Sequence, residues 1–223
     1  MQLRHEIKHE ISFSDMLVLR QRLRAVAKPD PHAINGVYEI RSLYFDNVDD
    51  KALREKLDGV NIREKYRIRL YNFDASLIHL ERKFKMGGLG NKDTTALSVE
   101  QARAIAEGNI DWMADSPDPV ILGFYTRMRG QGLRAKTIVD YTREPFIFEA
   151  GNVRVTLDYN IRTGLYHTDF LDPGCVTIPV KDSPYILEVK WDDFLPSVIR
   201  DAVQLPGRKS TAYSKYAACR MYE

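Results

Sequence analysis

The chain has 223 residues, enough for a substantial core, and its 44% apolar and 29% charged composition excludes a disordered chain. A formal net charge of only +2 excludes the global basic field of a dedicated nucleic-acid binder, so no nucleic-acid partner is expected and any anion site must come from local sorting of charge. The amino terminus, MQLRHEIKHE, lacks the apolar stretch of a signal peptide, no apolar run is long enough to span a bilayer, and the cytoplasm is the expected location.

Residues 1–13 alternate as a strand, and Ser14 or Asp15 then caps a helix to about Ala27, which Lys28-Pro29-Asp30-Pro31 breaks. Residues 37–46 (VYEIRSLYFD), rich in β-branched and aromatic side chains, predict a strand, and Asp49-Asp50 start a short helix ending near Asp58-Gly59. Residues 61–72 and 77–86 predict a hairpin joined at 73–76. The Gly-rich stretch 87–92 lacks the GK[ST] ending of a phosphate-binding loop and reads as a flexible connector. Helices follow over 98–107, opened by a capping box from Ser98 to Gln101, and over 119–129. Strands at 133–141, 145–148, 153–158 and 185–192 precede two closing helices, 195–204 and about 211–221. One α+β domain over residues 1–223, dominated by antiparallel strands, is the expected organisation.

Several of these strands carry charge on one parity: Arg4-Glu6-Lys8-Glu10, Arg67-Arg69, Glu81-Lys83-Lys85, Arg154 and Glu188-Lys190. Strand side chains alternate between faces, so each set points to one side of its sheet. An antiparallel sheet commonly has one hydrated face, which explains any single strand. If the faces look inward instead, they line a cavity for a polyanion, with Arg matching phosphate oxygens in bidentate fashion. A glutamate among such cations then makes sense as the holder of a divalent metal that itself binds phosphate, and Glu188 is the candidate. The two cysteines, Cys175 and Cys219, form no CxxC pair and the five histidines show no zinc spacing. His5 and His9 share parity with Ile7, opposite Lys8, and read as packing or surface groups, while Tyr44-Phe45, Phe124-Tyr125 and Tyr213/Tyr216 read as core.

An ordered series of segments resembles the VTC domain (polyphosphate polymerase) branch of the triphosphate tunnel metalloenzymes, the CYTH-like superfamily. These are HEIKHEI (5–11), IRSLYFD (40–46), REKYRIRLYN (63–72), LERKFK (80–85), VDYTREPF (139–146), NVRVTLD (152–158), ILEVKW (186–191) and AYSKYAAC (212–219). The resemblance implies a closed, eight-stranded antiparallel β tunnel with flanking helices whose basic walls hold a triphosphate or polyphosphate. Carried over, Lys8, Arg67, Arg69 and Lys83 would be catalytic, Arg143, Arg154, Ser214, Lys215 and Lys190 would bind phosphate, and Glu188 would bind Mn²⁺ or Mg²⁺. Relatives that hydrolyse or cyclise begin with a Glu-x-Glu-x-Lys strand, whereas here Arg4 stands in place of the first carboxylate. That departure favours gripping a long polyanion over simple hydrolysis. The expected activity is transfer of the γ-phosphate of ATP onto polyphosphate, the alternatives being a triphosphatase or a non-catalytic polyphosphate sensor. Any movement of product across a membrane would fall to a separate partner.

Overall fold

Helices dock on the apolar parity of the strands, and the charged parity is left to the opposite face. In the computed structural model, which describes residues 4–221, the elements are β1 (His5–Ile11), α1 (Phe13–Val26), β2 (Lys28–Pro29), β3 (Tyr38–Asp46), α2 (Lys51–Leu57), β4 (Arg63–Tyr71), β5 (Asp74–Met86), β6 (Leu89–Leu97), α3 (Val99–Glu107), α4 (Pro119–Gln131), β7 (Arg134–Phe148), β8 (Val153–Thr163), β9 (Ile178–Pro179), β10 (Tyr185–Trp191), α5 (Ser197–Val203) and α6 (Lys215–Arg220). The α+β class is as expected, and every ladder with a described register is antiparallel. Eight strands follow the path β1-β10-β8-β7-β3-β4-β5-β6. The path is open, with β1 and β6 at its ends, so a closed barrel overstates the pairing among the described residues.

Differences from the expected elements have local causes. Helix α1 is capped by Ser12, not by Ser14 or Asp15: Ser12 Oγ accepts from Asp15 N at 3.1 Å, and the Asp15 carboxylate accepts from Ser12 N at 2.9 Å. The β4–β5 turn is tighter than 73–76, because Asn72 and Phe73 both adopt left-handed φ angles, 54° and 56°. The Gly-rich stretch is not a flexible connector. Gly87 and Gly88, at φ 59° and 84°, turn the chain back into β6, a strand missing from the expected set. Strand β7 runs unbroken through Pro145, whose φ suits an extended strand. The part of the expected first strand at residues 1–3 lies outside the described residues.

The chain divides into two compact units. The first comprises Met1–Glu39, Tyr141–Ile161 and Lys181–Tyr213. Its core packs Met16, Leu19 and Leu23 of α1 and Ile199 and Val203 of α5 against Val155, Leu157, Leu187 and Val189. The second comprises Ile40–Asp140, Arg162–Val180 and Ser214–Glu223, with Leu43, Phe45, Tyr66, Ile68 and Leu80 packed against Ala102, Ile105, Ile121, Phe124 and Met128 of α3 and α4. Among the described residues no helix is long and apolar enough to cross a membrane.

Within the second unit, Asp46 at the end of β3 is fully buried and does the capping expected of Asp49-Asp50. Its carboxylate accepts from the backbone N–H groups of Ala52 and Leu53 at 2.9 and 3.1 Å, and from the Tyr216 hydroxyl at 2.8 Å. Asp50 instead pairs with Arg220 and Lys136. Asp46→Ala would orphan these donors and lower the stability of the chain by roughly 2–4 kcal/mol. Urea unfolding measures this; a loss under about 1 kcal/mol would show that water replaces the carboxylate.

Candidate functional site

In the first unit, Ile7, Leu187, Val189, Val155 and Leu157 face the helices, as core residues. The opposite face of β1, β10 and β8 carries the charge. Register sets Glu6 against Lys190, Lys8 against Glu188, Lys190 against Arg154 and Glu188 against Thr156. Part of this face is withdrawn from water: Glu188 is 4% exposed, Thr156 2% and Asp158 0%, whereas the Arg154 and Lys190 side chains are 42% and 30% exposed. An ordinary hydrated outward face does not account for the buried members. His5 and His9 lie on the other parity; His5 is exposed and its ring stacks on Trp191 at 5.3 Å, within the expectation of packing or surface groups.

Every cation on that face meets a carboxylate. Lys8 Nζ lies 2.9 Å from Glu188 and 3.3 Å from Glu6, while Lys190 contacts Glu188 and reaches Glu6 at 3.9 Å. Burial works against the Lys8 charge, yet Glu188 and Glu6 outweigh it and hold the ammonium pKa well above its ordinary range. Arg143 of β7 forks onto Asp158 at 2.7 and 2.8 Å, and that carboxylate likewise overrides burial and raises the guanidinium pKa. Arg154 reaches Asp30 at 2.6 Å. Arg4 donates to the Asn152 carbonyl and lies 2.6 Å from Asp192, so its charge is answered locally.

In the second unit the face opposite the helices carries Ser42 and Tyr44 on β3, Lys65, Arg67 and Arg69 on β4, His79, Glu81, Lys83 and Lys85 on β5, and Lys92 on β6. Register aligns Lys65, Lys83 and Lys92 side by side across three strands. Directly opposed like charges destabilise a sheet, so anions beside this row stabilise it. Glu81, 1% exposed, supplies part of it: Arg67 lies 2.6 Å away, Lys92 3.0 Å and Arg69 3.6 Å. Burial would raise the Glu81 pKa, but Arg67, Arg69 and Lys92 hold it far below the usual carboxylate range. Arg69 also donates to Ser42 Oγ at 3.1 Å.

Tyr44 is 3% exposed, buried as the sequence reads it, and its side chain lies on this charged face. Arg67 Nη1 donates to its oxygen at 2.7 Å. Burial pushes the phenol upward, but Arg67, Lys65 and Arg69 together bring its pKa down to about 7. Its ring stacks on Tyr216 at 5.0 Å, while Phe124 packs between Phe45 and Tyr66, so these aromatics are buried against one another. Tyr216 anchors α6, which is shorter than expected. Ser214 is its cap, with Oγ accepting from Ala217 N at 3.3 Å, and Lys215 is its first residue.

The sequence reading left Glu81 without a role and missed the parts played by Tyr44, Asp158 and Asp30. Lys92 was missed because β6 was; its parity with Lys83 across a Gly-Gly turn was the available signal. Among the described residues no three His, Cys, Asp or Glu side chains cluster as a metal cage. A magnesium-like ion needs only one or two carboxylates and takes its remaining ligands from substrate phosphates and water. Glu188 and Glu6 fit that requirement, because both approach the single ammonium of Lys8 and so already frame a position for positive charge.

An eight-strand path with helices on its apolar parity and Arg- and Lys-rich polar faces is the architecture against which the chain is compared with known proteins. The chain belongs to the VTC domain family, whose model matches residues 3–222. Among solved structures it is similar to a candidate adenylate cyclase of Bacillus halodurans, with 15% identity, TM-score 0.51, and coverage of 85% of this chain and 80% of that one. It is also similar to the capping enzyme triphosphatase of Mimivirus, with 13% identity, TM-score 0.45, and coverage of 89% and 86%. No curated protein matches it in sequence.

Tyr44 offers a direct probe of the second face. Its folded pKa lies below its unfolded value of about 10, so its ionised form is favoured by folding and the added stability accrues as pH rises from about 7 to about 10. Phenolate absorbance should show one tyrosine titrating near neutrality, absent in Tyr44→Phe. Tripolyphosphate, by neutralising Arg67 and Lys65, should move that step upward; an unmoved step would exclude anion binding beside Tyr44.

Proposed function

We propose that this protein transfers the γ-phosphoryl group of ATP to the end of a polyphosphate chain, using Mn²⁺ or Mg²⁺. The reading is carried by the row of Lys65, Lys83 and Lys92 beside Arg67 and Arg69, a concentration of aligned positive charge that a polyanion would relieve. Membership of the VTC domain family supports it. A terminal phosphate oxygen of the acceptor attacks the γ-phosphorus, the bond to the β-phosphate oxygen breaks, and ADP leaves. The nucleophile is already ionised, so no strong general base is needed, and catalysis consists of alignment and charge stabilisation.

The roles follow from residue chemistry. Arg67, Arg69, Arg143 and Arg154 would clamp non-bridging oxygens. Their carboxylate partners fix the forks, so little ordering entropy remains to be lost on binding. Lys8, Lys83 and Lys190 would offset charge on the phosphates nearest the transfer, and Lys215 and Ser214 would hold the chain further along. Glu188 and Glu6 would hold the metal ion, which when bound neutralises charge on neighbouring phosphates.

Hydrolysis with water as acceptor is the second reading, and one observation favours it. The Arg4 charge, which in the sequence tilts the choice toward polymer gripping, is answered by Asp192. Incubation with ATP and Mn²⁺ separates the readings: phosphate chains on a gel support polymerisation, and free phosphate alone supports hydrolysis. Polyphosphate binding with no turnover supports a sensor. Glu188→Gln should lower turnover at least about 100-fold while polyphosphate affinity changes little. Undiminished turnover in that variant would remove Glu188 from the metal site.

A further inference from the structure

We propose that the hydroxyl of Thr156 is a phosphate contact, a donor with no partner among the described residues that hydrogen-bonds to a non-bridging oxygen of a bound triphosphate or polyphosphate. The inference rests on the phosphate reading above and extends it to a residue that reading does not use. Strand β8 places Thr156 between Arg154 and Asp158 on the charged face, directly opposite Glu188. The residue is 2% exposed, and its Oγ1 is buried with no hydrogen-bond partner.

The other buried threonines are not left this way. Thr137 and Thr163 approach each other at 3.3 Å, Thr142 donates to Glu39 at 3.1 Å, and Thr177 donates to Asp140 at 3.2 Å. An unsatisfied buried hydroxyl costs about 1–3 kcal/mol, and valine has the same shape without that cost. The strand accommodates valine on its other face, at Val153 and Val155. A hydroxyl at position 156 therefore burdens the fold unless something outside the polypeptide accepts from it.

A second orphan identifies the acceptor. Arg154 Nε, two residues away on the same face, is also buried without a partner, although the far end of its guanidinium holds Asp30. Arg Nε can only donate. Two neighbouring donors on one face, beside lysines already engaged by Glu188, match an anionic oxygen and not another cation. A phosphate oxygen has the charge and the lone pairs to accept from both.

The test compares the wild-type chain with Thr156→Val and Thr156→Ser, using calorimetric titration with inorganic tripolyphosphate and thermal unfolding without ligand. Thr156→Val should weaken tripolyphosphate binding about tenfold, the size of one hydrogen bond to a charged group, while its ligand-free midpoint stays level or rises. Thr156→Ser should restore the affinity. Unchanged affinity in the valine variant, or a lower ligand-free midpoint, overturns the contact and makes the hydroxyl a purely structural group. A wild-type chain that fails to bind tripolyphosphate overturns the phosphate reading itself, and this contact with it.

Discussion

The structure depends on buried carboxylates that pair with the cations beside them. Once helices take the apolar parity of each strand, the other parity has to carry charge where water is scarce. Isolated charges there would not stay ionised, or would not permit folding. Glu81 in one unit and Glu188 in the other each gather two or more cations, and Asp158 and Asp30 hold one arginine apiece. These carboxylates let the chain fold around its own positive charge. They also fix the guanidinium forks in place, so under the proposed function a phosphate would meet donors that are already oriented.

Such pairing does not neutralise every surface equally. Arg69 is 3% exposed and tied to both Ser42 and Glu81, whereas the Lys92 side chain is 50% exposed. The buried arginines thus give fixed, directional contacts, and the lysines of the aligned row give adaptable point charges on flexible stems. Under the proposed function, that combination would suit a polyanion held firmly near one phosphate and loosely elsewhere.

Legibility in the sequence followed periodicity. The parity of Lys8, Arg67, Arg69, Lys83 and Glu188 could be read directly, and each lies on the face that alternation assigns it. Helices α3 and α4 were legible because Ser98 with Gln101 and Pro119 after Asp118 are local signals. Strand β6 was not. Its sequence, LGNKDTTAL, is poor in large apolar residues, and only its pairing with β5 holds it extended. Carboxylate partners were the least visible component, since Arg143 and Asp158 stand 15 residues apart and Arg154 and Asp30 stand 124 apart. A pairing made across a sheet leaves no trace in local spacing.

The same limit applies to Asp46, and there it bears on the end of the chain. One carboxylate supports the start of α2 and receives the Tyr216 hydroxyl from α6, 170 residues later. Tyr216 in turn stacks on Tyr44, whose oxygen receives Arg67. Ser214 and Lys215 therefore owe their position to the same strand that orients Arg67, and a helix of only six residues could not hold them alone. The phosphate candidates of the second unit are joined by direct contacts through one buried aspartate and one pair of stacked rings, so residues far apart in sequence are held by one set of packed groups.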